Sequence, residues 1–175
     1  GMEEYSVHCQ AFAVLTGMVT PKEGKEMLQC TVGNKDFAQP SVAFMFYLFR
    51  AMEICDIYDE TDKLWDLWRY MLDKKMTTCV ENNTDERSDC HAWSSLICYE
   101  LPTLILGVSP CAPGYKKVRI NPHLGKLKSV NGNVITPMGN ISVSWFCDSN
   151  GKYKIQYSLP DGMECLNDVS QILVP

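Results

Sequence analysis

Apolar residues recur with a helical period through the first hundred or so positions and with a period of two near the end of the chain. In YSVHCQAFAVLTG, Tyr5, His8, Phe12 and Leu15 share one face, and Gly17 closes the segment. PKEGKEMLQCTV follows, with Pro21 suited to a first helical turn. PSVAFMFYLFRAMEI is apolar almost all round and should be buried on most sides. DETDKLWDLWRYMLDKK is one-faced, with Leu64, Trp65, Leu67, Trp68, Met71 and Leu72 at helical spacing; acids open it, and Lys74 and Lys75 close it. HAWSSLICYELPTLILGV predicts a fifth helix, again apolar on most sides, kinked where Pro102 cannot donate to the Cys98 carbonyl.

The alternation of these patterns carries an architecture. The first, third and fifth helices are the apolar ones, and the second and fourth are more polar or one-faced. Two layers follow, odd helices inside and even helices outside. Antiparallel neighbours then bring GNKDFAQ at 33–39 and the long loop 75–90 to the same rim.

Near GVSPCAPG the pattern changes, where Gly and Pro cluster. In NISVSWFCDSNGKYKIQYSL, Ile141, Val143 and Trp145 alternate with polar residues, Asn150-Gly151 supplies a turn, and Tyr153, Ile155 and Tyr157 return. KSVNGNVI predicts a second hairpin around Asn131-Gly132, and LPDGMECL a turn at Asp161-Gly162. The expectation is α+β in sequential halves: helices over residues 1–110, then a small antiparallel β-sandwich over 111–175.

Charge and cysteine content narrow the function classes. The net charge of −5 over 175 residues argues against nucleic acid or an anionic membrane surface as the main partner. Nine cysteines, an odd number without a CxxC, match no structural zinc spacing and read as reduced structural thiols. No metal or cofactor is expected. The most apolar run, VAFMFYLFRAMEI, is shorter than the ~20 residues a bilayer requires. No basic segment followed by an apolar core opens the chain, so a soluble protein without a signal peptide is expected.

The candidate chemistry lies in TTCVENNTDERSDCHAW, residues 77–93. This polar loop joins two apolar helical patterns. Its residues alone leave Glu81 open between a solvated loop acid, beside Asp85, Glu86 and Asp89, and a site carboxylate. His91 reads either as a helix-opening residue that caps nearby backbone or as a ligand contact. Trp93 reads either as core beside Leu96 and Ile97 or as a stacking platform. His8 is expected in the core, and His123, in a turn ahead of a strand, is expected to be structural. Cys90-His91 has no partner that would complete a thiol nucleophile. Asn82-Asn83-Thr84 and Asn140-Ile141-Ser142 match the glycosylation sequon, a pattern common by chance.

PCAPGYKKVRINPHLGKLKSVNGNVITPMGNISVSW resembles the end of bacterial α-L-rhamnosidases, inverting glycoside hydrolases, whose pattern there is close to PGxxxxxIxPxxGxLxxxxGxxxTPxGxIxVxW. TTCVE and SDCHAWS resemble the same family's Thr-Thr-x-Trp-Glu and His-x-Trp segments, with Val80 in place of the tryptophan. The resemblance implies an (α/α)6 barrel followed by a β-sandwich, of which this chain would be a partial toroid of about five helices and the sandwich. It implies that Glu81 is the general base and that His91, with Trp93 beside it, lies at the sugar. The family's general acid lies earlier in the barrel, and no segment here matches it. The implied ligand is an L-rhamnoside, and the implied partner is either the missing barrel half or a second copy of the chain. Two other classes stay open: a carbohydrate-binding module without turnover, and a structural piece packed against another chain.

Overall fold

The computed structural model describes residues 5–82 and 88–166. The fold is α+β, and the chain divides into two compact units, Gly1–Leu96 and Ile97–Pro175.

The first unit is helical: α1 (Val7–Leu15), α2 (Pro21–Thr31), α3 (Met45–Ile54) and α4 (Asp66–Asp73). The sequence explains the start of α2 in detail. Thr20 accepts from the Glu23 N–H, Glu23 reaches back to the Thr20 N–H at 2.8 Å, and Pro21 fills the first turn. Short 3-10 turns, Val42–Phe44 and Tyr58–Leu64, lead into α3 and α4. α1 packs against both α2 and α3. Their shared core holds Val7, Ala11, Val14, Leu28, Leu48, Ala51 and Met52.

The buried face of α1 is rotated from the predicted one. Val7, Ala11 and Val14 point inward, while Tyr5 is 65% and Phe12 45% exposed. The Phe12 ring instead joins a surface aromatic cluster. Phe12 lies 5.2 Å from Phe44 and 5.6 Å from Tyr47, Tyr5 lies 6.1 Å from Phe37, and His8 lies 4.2 Å from Phe44. His8 is half-buried on this cluster rather than in the core. α3 is likewise open on one flank, through Phe46, Tyr47 and Ile54. On α4, Leu67, Trp68 and Met71 are buried, but Leu72 is exposed in the last turn.

Two short parallel strands, β1 (Tyr5–Ser6) and β2 (Phe37–Ala38), tie the entry of α1 to the 33–39 loop. The turn Val42–Phe44 packs against a further 3-10 turn, Ala92–Leu96. The predicted fifth helix is not one kinked α-helix. It runs from that 3-10 turn through α5 (Ile97–Glu100) into a π-helix, Leu101–Ile105, which ends with the Leu106 N–H on the Leu101 carbonyl at 2.7 Å. Pro102 removes one donor, and the wider ladder accommodates the loss.

The second unit holds β3 (Val108–Pro110), β4 (Lys117–Ile120), β5 (Ser129–Thr136), β6 (Gly139–Cys147), β7 (Tyr153–Ser158) and β8 (Glu164–Cys165). They form two three-stranded sheets, β3-β4-β8 and β5-β6-β7, whose inward residues build one core around Trp145. Gly107 brings the π-helix into β3 with φ +88, and the backbone of Asn121 and Pro122 lies where a Cβ would stand. The hairpin at Asn150-Gly151 forms as the alternation predicts.

Asn131-Gly132, however, is not a turn. β5 runs straight through it, and the chain reverses at Pro137-Met138, with Thr136 paired to Gly139. Gly132 serves space: an added Cβ would come within 3.2 Å of the Leu106 side chain. Pairing is also not wholly antiparallel, since β8 runs parallel to β4 after the Asp161-Gly162 turn.

The cysteines are free thiols. Contrary to a packing role for most of them, Cys55 alone is buried, and Cys9, Cys30, Cys90, Cys98 and Cys111 are exposed.

Candidate active site

The loop between α4 and the Ala92–Leu96 turn is pinned at its base. Glu81 N–H donates to the Ser88 carbonyl at 2.8 Å, and His91 N–H donates to the Cys79 carbonyl at 2.6 Å. The Thr78 hydroxyl donates to the Asp89 carbonyl. These bonds tie Thr78–Glu81 to Ser88–His91. Residues 83–87, with Asp85, Glu86 and most of the Asn82-Asn83-Thr84 sequon, lie outside the described residues.

Val80 and Ser94 anchor the pair from beneath. Val80 is buried, where the resemblance would place a tryptophan. The fully buried Ser94 hydroxyl reaches the Val80 carbonyl and also the His91 carbonyl at 3.1 Å. The Ser94 carbonyl in turn accepts from Trp68 Nε1 at 2.8 Å. Trp68 stands on α4, so the loop is bolted to a helix on the far side of 26 residues of sequence. Sequence reasoning missed Ser94; the one signal was a small hydroxyl inside an otherwise apolar pattern, three residues after His91.

This scaffold brings the three candidate side chains together. The Glu81 carboxylate is 11% exposed, and His91 Nδ1 lies 3.8 Å from its Oε2. That separation is beyond hydrogen-bond length, yet close enough for an imidazolium to attract the carboxylate. The His91 and Trp93 rings touch, tilted by 37° with centroids 3.6 Å apart. Trp93 Nε1 points at the Glu81 carbonyl at 3.4 Å, and the indole is exposed rather than core. A nearly buried carboxylate beside an imidazole and an open aromatic face can take a proton from a water molecule and hold a polyol against the ring.

The backbone N–H of His123, in the second unit, donates to the Leu104 carbonyl at 2.9 Å. Among the described residues no group of three His, Cys, Asp or Glu side chains is arranged to hold a metal ion. No helix among them is long and apolar enough to cross a membrane.

Residues 107–169 match the family model described as bacterial alpha-L-rhamnosidase C-terminal domain. An alpha-L-rhamnosidase of Alteromonas sp. (strain LOR) is 33% identical over an alignment 105 residues long that covers 53% of this chain and 11% of that protein. Among solved structures, the GH78 family rhamnosidase of Bacillus sp. GL1 aligns over 93% of this chain and 20% of its own, at 29% identity and a TM-score of 0.74. The Streptomyces avermitilis alpha-L-rhamnosidase, solved with L-rhamnose, aligns over 89% of this chain and 17% of its own, at 20% identity and a TM-score of 0.71. The last of these is a likeness of fold alone. The chain thus spans about a fifth of the Bacillus chain and about a tenth of the Alteromonas protein. The fold over most of its length and the sequence from residue 107 onward agree: the chain is similar to the C-terminal part of the α-L-rhamnosidases, and its residues 107–169 match the model of that family's C-terminal domain.

Proposed function

We propose that this chain is the C-terminal part of an α-L-rhamnosidase-like glycoside hydrolase that removes terminal α-L-rhamnose by inversion when complete. In this reading residues 1–110 are the last five helices of an (α/α)6 barrel, and residues 111–175 are a small β-sandwich. The single core between two three-stranded sheets supports the sandwich. The packing of α1 on α3, with α2 beside them, supports an inner and an outer layer.

Glu81 is the general base of this proposal. It takes a proton from the water that attacks the anomeric carbon, while His91 and Trp93 hold the sugar. The observation that carries the reading is the cluster itself: a Glu81 carboxylate 11% exposed, with His91 Nδ1 at 3.8 Å and the Trp93 ring against His91. Inversion needs a second carboxyl about 6.5–9.5 Å from the base, protonated, to release the leaving group. No segment of the chain matches that acid, so the chain alone is inactive.

The test is turnover of a natural, poor-leaving-group α-L-rhamnoside by the purified chain. None is expected. Clear hydrolysis abolished by Glu81→Gln would show that the chain holds both carboxyls. An activated aryl rhamnoside discriminates less, because a good leaving group relaxes the need for an acid.

The open aromatic flank of the helical unit belongs to the same proposal. Tyr5, Phe12, Phe46 and Tyr47 receive either the remaining helices of the barrel or a second copy of the chain.

A further inference from the structure

The outer face of β5-β6-β7 is built differently from an ordinary solvated sheet. Cross-strand register sets Asn131, Ser144 and Gln156 in one row and Asn133, Ser142 and Ser158 in the next. All six line one shallow depression of about 340 Å³, within the size range of small-ligand sites. None is charged, in a chain whose residues are 21% Asp, Glu, Lys and Arg. All six carry amides or hydroxyls, groups that can both donate and accept. The array is also ordered: Ser142 Oγ donates to Asn133 Oδ1 at 2.7 Å, a bond that does not use the Asn133 amide N–H groups.

Strand alternation puts Phe146 on this face beside Ser144, with its ring partly exposed. The rows lie about 7 Å apart along the strands, and neighbouring strands about 5 Å apart, the footprint of about one or two pyranose rings. A protein partner is disfavoured by the same chemistry, because interface cores are rich in Tyr, Trp, Met and Arg and poor in Ser.

We infer that this face binds a neutral oligosaccharide, whose hydroxyls pair with the two polar rows while a ring C–H face rests on Phe146. The inference does not rest on Glu81 or on hydrolysis.

The test is affinity electrophoresis of the 175-residue chain through gels that contain a neutral polysaccharide (glucomannan, galactan or rhamnan in turn) or polygalacturonate. At least one neutral polymer is expected to slow the chain. Raising the salt to about 0.5 M should not release it, since no ion pair is involved. Ser144→Arg, which fills the centre of the face, and Phe146→Ala should each weaken the slowing at least about tenfold. Gln156→Arg, on the edge strand β7, gives a second reading if Ser144→Arg does not fold as judged by circular dichroism. Free passage through every neutral gel, slowing by polygalacturonate alone, or slowing that survives a folded Arg variant would each overturn the inference.

Discussion

Ser94 shows how one residue holds the site. Its hydroxyl is fully buried and lies within reach of the carbonyls of Val80, which precedes Glu81, and of His91. Ser94→Ala would leave those carbonyls without this donor at a cost of about 1–3 kcal/mol. The urea midpoint should fall accordingly, and a shift within error would mean that water or another donor replaces the hydroxyl. This residue was illegible beforehand because its role depends on Trp68, 26 positions away, which no local pattern connects to it. Glu81, His91 and Trp93 were legible as candidates through the short motifs around them. Their mutual geometry was not, because it depends on backbone bonds across the loop, from Glu81 to Ser88 and from His91 to Cys79.

At the scale of elements, local chemistry was a good guide wherever two signals coincided. The β6–β7 hairpin forms because alternating Ile141, Val143 and Trp145 meet a turn at Asn150-Gly151. At Asn131-Gly132 the turn signal stood alone. The alternation through Val130 and Val134 continued across it, so the strand won, and Gly132 answered the crowding of Leu106 instead. The fifth helix failed for another reason: apolar residues on most sides do not distinguish 3-10, α and π pitch.

Two carboxylates hold element ends. The Thr20 backbone N–H and hydroxyl hold the Glu23 carboxyl below its ordinary value of 4.5. The Lys152 and Asn150 backbone N–H groups hold Asp148 below 3.8. Each is depressed in the folded state, so its contribution is complete above the ordinary value. That contribution is lost as pH falls through the folded value. Unfolding midpoints should therefore decline below about pH 4.5 on account of these groups. Glu23→Ala should unfold earlier than the parent chain at pH 7, with the gap narrowing toward pH 2. A gap independent of pH would show that the carboxylate charge contributes nothing.

At the scale of the molecule, the open aromatic flank sets the behaviour in solution. Phe12, Phe46 and Tyr47 make one connected exposed surface through their ring contacts and those of Phe44, and exposed Tyr5 pairs with Phe37. A patch beyond a few hundred Å² finds a partner or aggregates. The chain should therefore self-associate at micromolar concentration, most simply as a two-fold dimer, and Phe12→Asp should weaken that association. Sedimentation velocity reads the outcome, and a stable monomer that binds no apolar dye would remove the incomplete-barrel account of this surface.

Whether Glu81 is the base proposed above is decided by supplying the rest of the barrel. In the Bacillus sp. GL1 rhamnosidase, the segment that aligns with this chain is about a fifth of the length, and the chimaera to be made carries this chain in its place. The chimaera should hydrolyse a natural α-L-rhamnoside, and Glu81→Gln within it should lower kcat by about 10²–10⁴-fold with little change in KM. An active chimaera in which Glu81→Gln turns over at the parent rate would contradict the account.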